Sequence, residues 1–283
     1  MDKKVQANKA ERFLQLHHDP KLLVLPNVWD PLGARLLEGL GFPAVATASA
    51  AVAFSLGYDD GQRITFDAML DAIARVCDSV DVPVTADVES GYAQDMDDLA
   101  DNIRRVIRAG AVGINLEDSM DEGGFLLPAE VQCDRLHAAR AAADLEDIPL
   151  VINARIDVFF KGPEQGRDAQ IEDTIERAKS YLEAGADCVY PILVGDLDTL
   201  KRIHDAVERP INVYADDSAA TMRDLEDAGI SRLSVGPWML KAALSKMKEV
   251  AETLRDYGSY DVFTDGTMTT GEVRRYLRDG KMA

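Results

Sequence analysis

Several features are scarce in this 283-residue chain, and each scarcity excludes a class of protein. Basic residues are outnumbered: 31 Lys and Arg stand against 50 Asp and Glu, a formal net charge of −19. Nucleic acids and anionic lipid surfaces are held by clustered positive charge, so neither a nucleic-acid nor a membrane partner is expected. The three cysteines, Cys77, Cys133 and Cys188, are odd in number and far apart. They supply neither a disulfide framework nor a paired zinc motif, which points to a reducing, cytoplasmic setting. No stretch of about 18 apolar residues occurs, and the opening MDKKVQANKAERFLQL is polar and helix-like, without the apolar centre of a secretion signal. Neither GxGxxG nor a Walker A sequence follows a strand-like run, so the usual nucleotide fingerprints are missing. The four histidines, His17, His18, His137 and His204, all fall in helical patterns, which leaves no imidazole at a strand end for a base or a metal.

What is present is a globular composition, 47% hydrophobic and 29% charged, sufficient for one sizeable core. A junction recurs four times in which an amphipathic helix ends at glycine and runs at once into a short apolar strand: Gly41, Gly110, Gly185 and Gly229. Glycine suits the left-handed residue that closes a helix. The apolar runs predict eight strands, at 22–27, 44–48, 84–87, 113–116, 150–155, 188–191, 211–214 and 232–235. Between them lie helical patterns with apolar residues every three or four positions, such as TFDAMLDAIARVCDSV and DAQIEDTIERAKSYLEAG. Strict alternation with eight short strands favours an α/β fold of the (β/α)8 TIM-barrel type over a doubly wound open sheet. Residues 1–256 are read as the barrel with an N-terminal helix, and 257–283 as a loop and a short additional helix. A helix that short needs a surface to dock on.

Active sites of such barrels lie at the C-terminal ends of the strands, and here those ends are acidic. Asp60, Asp87, Glu89 and Glu117 gather on one rim, where mutual repulsion calls for a cation or for protonation. Asp87 and Glu89 are two apart in a strand, so both carboxylates can face one site. Oxygen ligands suit a hard ion, Mg²⁺ before Ca²⁺, with Mn²⁺ as a substitute. Arg155 ends the apolar run VINAR, where its guanidinium can grip a substrate carboxylate or pair with Asp157. The cysteines fall in helices or inside a strand, positions of small buried hydrophobes.

With these residues in view, the sequence resembles the isocitrate lyase and phosphoenolpyruvate mutase superfamily. The motifs that carry the likeness are PNVWDPLGARLLEGLGFPAVATASAAVAFSLGYDDG, ADVESGYA, GAVGINLEDS, PLVINARIDVF and GISRLSVGP, and they span most of the chain. The resemblance implies Mg²⁺ and the making or breaking of C–C or P–C bonds beside a 2-oxo acid or its enolate. By position, Asp87 matches the direct metal ligand, and Asp60, Glu89 and Glu117 match the acids that hold the metal's waters. The backbone of Ser49 and Ala50 matches the receiver of the substrate carboxylate, Arg155 the substrate-binding arginine, and Asn212 a substrate-facing asparagine. Arg155, Glu117 and Asp60 are therefore the expected catalytic set. The resemblance also implies a homodimer or homotetramer in which the tail helix is exchanged between barrels.

One segment departs from the superfamily. Lyases acting on isocitrate or methylisocitrate carry a Lys-(Lys/Arg)-Cys-Gly-His loop after strand four, whereas this chain reads SMDEGGFLLPAE, with Phe125 near the cysteine position. The Lys and Asn of mutase loops are missing too. The expectation is therefore a Mg²⁺-dependent lyase or decarboxylase acting on a small oxo-dicarboxylate through a metal-stabilised enolate, oxaloacetate being the simplest substrate. The alternatives are a C–C lyase on a substituted malate or methylisocitrate-like acid with Glu122 or another loop group as the acid, a phosphonopyruvate-type P–C enzyme, and a 2-oxo acid binding protein with little turnover.

Overall fold

The computed structural model describes residues 2–120, 124–163 and 165–279. Eleven strands follow in order: β1 (Leu23–Leu25), β2 (Asn27–Val28), β3 (Val45–Thr47), β4 (Val84–Asp87), β5 (Gly113–Glu117), β6 (Ser119–Met120), β7 (Phe125–Leu126), β8 (Val151–Ile156), β9 (Cys188–Pro191), β10 (Asn212–Tyr214) and β11 (Arg232–Ser234). Nine of them form the barrel wall as two parallel sheets, β1-β11-β10 and β2-β3-β4-β5-β8-β9. β1 and β2 are halves of one strand broken at Pro26, which lacks the N–H that a continuous ladder needs. The broken strand joins the sheets on one side, and a parallel bridge between Val189 and Ile211 joins them on the other. The wall therefore closes as the expected eight-stranded barrel. Asn27 fastens the first seam: its amide donates to Thr47 O at 2.8 Å and its Oδ1 accepts from Val235 N and Gly236 N, both at 2.9 Å.

The helices begin where the sequence places short polar caps. Asp30, Thr65, Asp95, Asp196 and Thr221 each accept a backbone N–H of the first turn of the helix that follows. The four glycine junctions all carry positive φ, at 89°, 105°, 105° and 76° for Gly41, Gly110, Gly185 and Gly229. The N-terminal helix Lys3–His17 is anchored to the barrel by Gln6, which donates to Ile107 O and Ala111 O, and by Phe13, which approaches Gly113 and is fully buried. No helix of the described residues is long and apolar enough to cross a membrane.

His17 ends that helix in the core, with Nδ1 against Phe13 O at 2.8 Å and Nε2 unpartnered. Burial, with the nearby Arg232 charge, lowers its pKa from 6.5 to about 3. The unfolded chain takes up this proton below about pH 6.5 and the folded chain does not until about pH 3, so stability falls with acidification across that window. His17→Phe is expected to flatten the urea midpoint between pH 6.5 and 4.5, removing a slope of up to about 1.4 kcal/mol per pH unit. An unchanged slope in the variant would contradict this assignment.

Two parts of the C-terminal region bear on assembly. The tail helix Thr270–Asp279 lies against helix Pro31–Gly39 of its own chain, where Arg35 Nη1 donates to Leu277 O at 2.8 Å and Tyr276 is buried. The preceding helix, Trp238–Arg255, buries only Leu240 among its described residues and leaves Leu244, Met247 and Leu254 in solvent. A stripe of exposed apolar side chains on a helix is a feature of surfaces that bind a partner.

Candidate active site

Two rows of side chains cross the barrel at the C-terminal ends of its strands. The lower row runs in register from Asp87 on β4 to Asn115 on β5, Asn153 on β8 and Cys188 on β9. The upper row, two residues along, runs from Glu117 on β5 to Arg155 on β8 and Tyr190 on β9. Above them is a cavity of about 220 Å³ whose lining includes Ser49, Ala50, Asp60, Asp87, Arg155 and Tyr190.

Asp87 stands where β4 meets this cavity. Its Oδ2 accepts from Ser49 N at 3.1 Å and Ser49 Oγ at 2.8 Å, and its own N–H donates to Thr47 Oγ1 at 3.0 Å. Ser49 is the first residue of the helix Ser49–Ser55 that follows β3, so strands β3 and β4 together fix the carboxylate. The turn after Asp87 is unusual. Glu89 and Tyr92 have φ of 53° and 55°, a left-handed region that non-glycine residues occupy only where surrounding contacts impose it. Those contacts are visible: Arg135 donates to Ser90 O, and Asn102 Nδ2 to Gly91 O and Tyr92 O at 3.0 and 3.1 Å. The turn delivers the Glu89 carboxylate to Tyr92 Oη at 2.8 Å and Gln62 N at 2.7 Å. Burial, with Glu89 alongside, pushes the Tyr92 phenol up, so it remains a donor.

Arg155 is held by two carboxylates. Nη1 pairs with Glu117 Oε2 at 2.6 Å, while Nε and Nη2 donate to Asp157 Oδ1 and Oδ2 at 2.7 and 3.0 Å. The ion pair with Asp157 that the sequence allowed is thus present, and N–H groups on both terminal nitrogens are left for a ligand. Burial alone would lower the Arg155 pKa, but Glu117 and Asp157 hold it well above the ordinary arginine value, so the cation persists. Asp157 is fixed in turn by Ser119 Oγ at 2.6 Å, and its N–H reaches Asp118 Oδ1 at 2.8 Å. Asp118 also accepts from Tyr181 Oη and Arg177 Nη1, and burial, with Asp157 next to it, raises its pKa to about 6. Arg177 Nη1 bonds Leu127 O as well, so one guanidinium ties together both ends of the loop after β5. Within that loop β6 pairs antiparallel with β7; Phe125 is exposed, and Glu122 lies outside the described residues.

The expected site residues therefore fall into three groups. Ser49, Ala50, Asp60, Asp87 and Arg155 line the cavity, with Asp60 contributed by an exposed loop. Glu89 and Glu117 are buried behind it, each turned onto the partners given above. Asn212 does not reach the lining: it is fully buried at the start of β10 with both amide atoms unpartnered, and Tyr214, two residues nearer the strand end, lines the cavity instead. Among the described residues, no three His, Cys, Asp or Glu side chains converge on one point. Arg232 was not among the residues expected at the site. It is fully buried inside the barrel, bonded to Asn115 Oδ1 at 3.1 Å and Ser234 Oγ at 3.3 Å, with Nη1 unpartnered. Burial lowers its pKa, and the nearby Cys188, Tyr190 and Asp87 oppose that shift.

A closed parallel barrel whose acidic cavity holds one doubly paired arginine at the strand ends defines a class: barrel enzymes that work on small acids. The chain belongs to the phosphoenolpyruvate phosphomutase family, whose model matches residues 13–255, and so to the isocitrate lyase and phosphoenolpyruvate mutase superfamily. It is 34% identical over 245 residues to an uncharacterized protein of Mycobacterium tuberculosis H37Rv, covering 86% of this chain and 89% of that protein. It is 29% identical over 254 residues to the 2-methylisocitrate lyase of Escherichia coli K12, covering 85% and 82% of the two chains. A solved structure from Burkholderia cenocepacia J2315, described as a lyase or mutase, superposes with a TM-score of 0.90 at 32% identity, over 98% of this chain and 99% of that one.

Proposed function

We propose that this protein is a Mg²⁺-dependent carbon–carbon lyase that decarboxylates oxaloacetate or a close homologue through an enolate. The observation that carries the reading is the cavity itself: Asp87, Asp60 and Arg155 line about 220 Å³, and among the described residues no thiol or imidazole does. Three or more converging protein ligands would suit zinc or calcium. A single direct carboxylate, Asp87, with acids placed to hold water, is a Mg²⁺ ligand set, and Mn²⁺ could replace it. When bound, the ion supplies Lewis-acid stabilisation of the oxygen on which negative charge collects.

The chain's own groups do the rest. The backbone at Ser49 and Ala50 receives one substrate carboxylate, which takes over the Ser49 N–H that Asp87 accepts in the free protein, and the remaining Arg155 N–H groups orient the other end. Glu117 and Asp157 hold the guanidinium at a fixed angle, so little reorganisation accompanies binding. Glu89, clamped by Tyr92 and Gln62, and Asp60 hold water at the acidic wall. Because Arg155 is already shared by two carboxylates, a substrate with three further charges is poorly matched, and a four-carbon oxo-dicarboxylate suits the volume.

The likeness to a 2-methylisocitrate lyase supports a second reading, cleavage of a substituted malate or methylisocitrate-like acid. A panel of oxo-acids and hydroxy-dicarboxylates incubated with protein and Mg²⁺ separates the two. Pyruvate with carbon dioxide from oxaloacetate supports decarboxylation; a second carbonyl product from a hydroxy acid replaces it with the lyase reading. Saturable binding without turnover reduces the protein to a 2-oxo acid binder.

The open stripe on helix Trp238–Arg255 supports a homodimer or homotetramer in which this helix, rather than the tail, docks on a neighbouring barrel. Light scattering of the intact protein is expected to give a dimer or tetramer, and Leu244→Asp combined with Met247→Asp a monomer. A monomeric wild type, or an oligomer untouched by the double substitution, would remove this surface as the basis of assembly.

A further inference from the structure

An enolate becomes a 2-oxo acid product only when a proton reaches carbon, and enzymes place an acid for that step. The loop after β5 presents Phe125 where superfamily lyases carry their cysteine, and none of the four histidines lines the cavity. Three of the proton-bearing groups that do line it are committed as donors. Ser49 Oγ donates to Asp87, the Asn27 amide to Thr47 O, and Asn115 Nδ2 to Asp87 Oδ1 at 3.5 Å. Ser234 Oγ and the hydroxyl of half-buried Tyr214 each accept a bond, from Arg232 and from the Trp238 indole, and so keep their own protons but not the freedom of an unbonded hydroxyl.

Tyr190 differs from all of these. It is 5% exposed, stands in register beside Arg155, and lines the cavity, yet among the described residues its hydroxyl has no hydrogen-bond partner. The hydroxyl is not among the buried unpartnered atoms, so it opens to the cavity, where water reaches it and a ligand can take that water's place. We propose that Tyr190 is the catalytic acid that delivers a proton from Oη to the enolate carbon, an inference that rests on the enolate reading given above. As the bond to the departing carboxylate breaks, its electron pair becomes the enolate C=C and carbon dioxide leaves. The Oη–H bond then breaks, C3 takes the proton with the C=C pair, the C2 carbonyl re-forms, and the phenolate retains the O–H pair. Solvent returns one proton to Oη per turnover.

Electrostatics suit the step. Burial pushes the phenol up more than the neighbouring Arg155 charge pulls it down, so the acid is loaded before substrate arrives. The phenolate left behind lies beside two cations, Arg155 and Arg232, which lower the cost of its charge.

The reverse of this protonation is enolisation of pyruvate, which can be followed in D₂O as loss of the methyl proton signal. With Mg²⁺, the wild type is expected to exchange the methyl protons, and Tyr190→Phe to exchange them at least about 100-fold more slowly. Mg²⁺-dependent binding of oxalate, a planar analogue of the enolate, is expected to be the same in both, which also shows that the variant is folded. Glu122→Gln is expected to exchange like the wild type. Equal exchange by Tyr190→Phe, or loss of exchange in Glu122→Gln, overturns the proposal. A wild type that binds oxalate but does not exchange pyruvate overturns the Tyr190 role alone, whereas one that does neither removes the enolate reading and Tyr190 with it.

Discussion

Asp87→Ala is expected to lower Mg²⁺-dependent turnover by at least about 10³-fold while leaving the protein folded, because the variant loses the carboxylate that we propose meets the ion directly. The structural cost is small. Asp87 is only partly buried at the end of β4, and the two groups it accepts from, Ser49 N and Ser49 Oγ, face a cavity where water can replace it. Circular dichroism and the melting temperature should stay close to wild type. Full activity of the variant in metal-replete buffer would refute the assignment of Asp87.

The second large effect is expected at Arg155. Lysine keeps the charge but cannot span Glu117 and both oxygens of Asp157 while also presenting a fork to substrate. Arg155→Lys should therefore reduce kcat/KM by about 1.5–3 kcal/mol, the range for charge-assisted hydrogen bonds, or roughly 10- to 150-fold. An unchanged kcat/KM for every active oxo-acid would show that the guanidinium serves only the ion pairs behind the cavity.

Much of this architecture was legible before the fold was known, for identifiable reasons. Glycine at a helix end has one dominant use, so Gly41, Gly110, Gly185 and Gly229 marked the helix-to-strand junctions, and positive φ is found at all four. The alternation at Asp87 and Glu89 marked one rim but not two roles: the left-handed turn that swings Glu89 onto Tyr92 and Gln62 is imposed by Arg135 and Asn102, which lie far along the chain. Arg232 was opaque for a similar reason. A lone arginine opening a short strand reads as a solvated loop residue, and only barrel closure turns it inward beneath Asn115. Asn212 was expected to face substrate from the superfamily resemblance; it stands two residues below Tyr214, which lines the cavity. The β6–β7 pair and the exposed stripe of Trp238–Arg255 depend on contacts that periodicity does not encode.

The central claim is that this cavity uses a divalent cation to stabilise the enolate of a small 2-oxo acid. It is tested most directly by following pyruvate formation from oxaloacetate with EDTA-treated protein, before and after Mg²⁺ is restored, against the rate of Mg²⁺ alone. The account predicts no enzymatic rate in EDTA, a saturable rate well above the Mg²⁺ background on restoration, and only that background with Asp87→Ala. A rate equal to the background with wild-type protein, or one indifferent to EDTA, would contradict it.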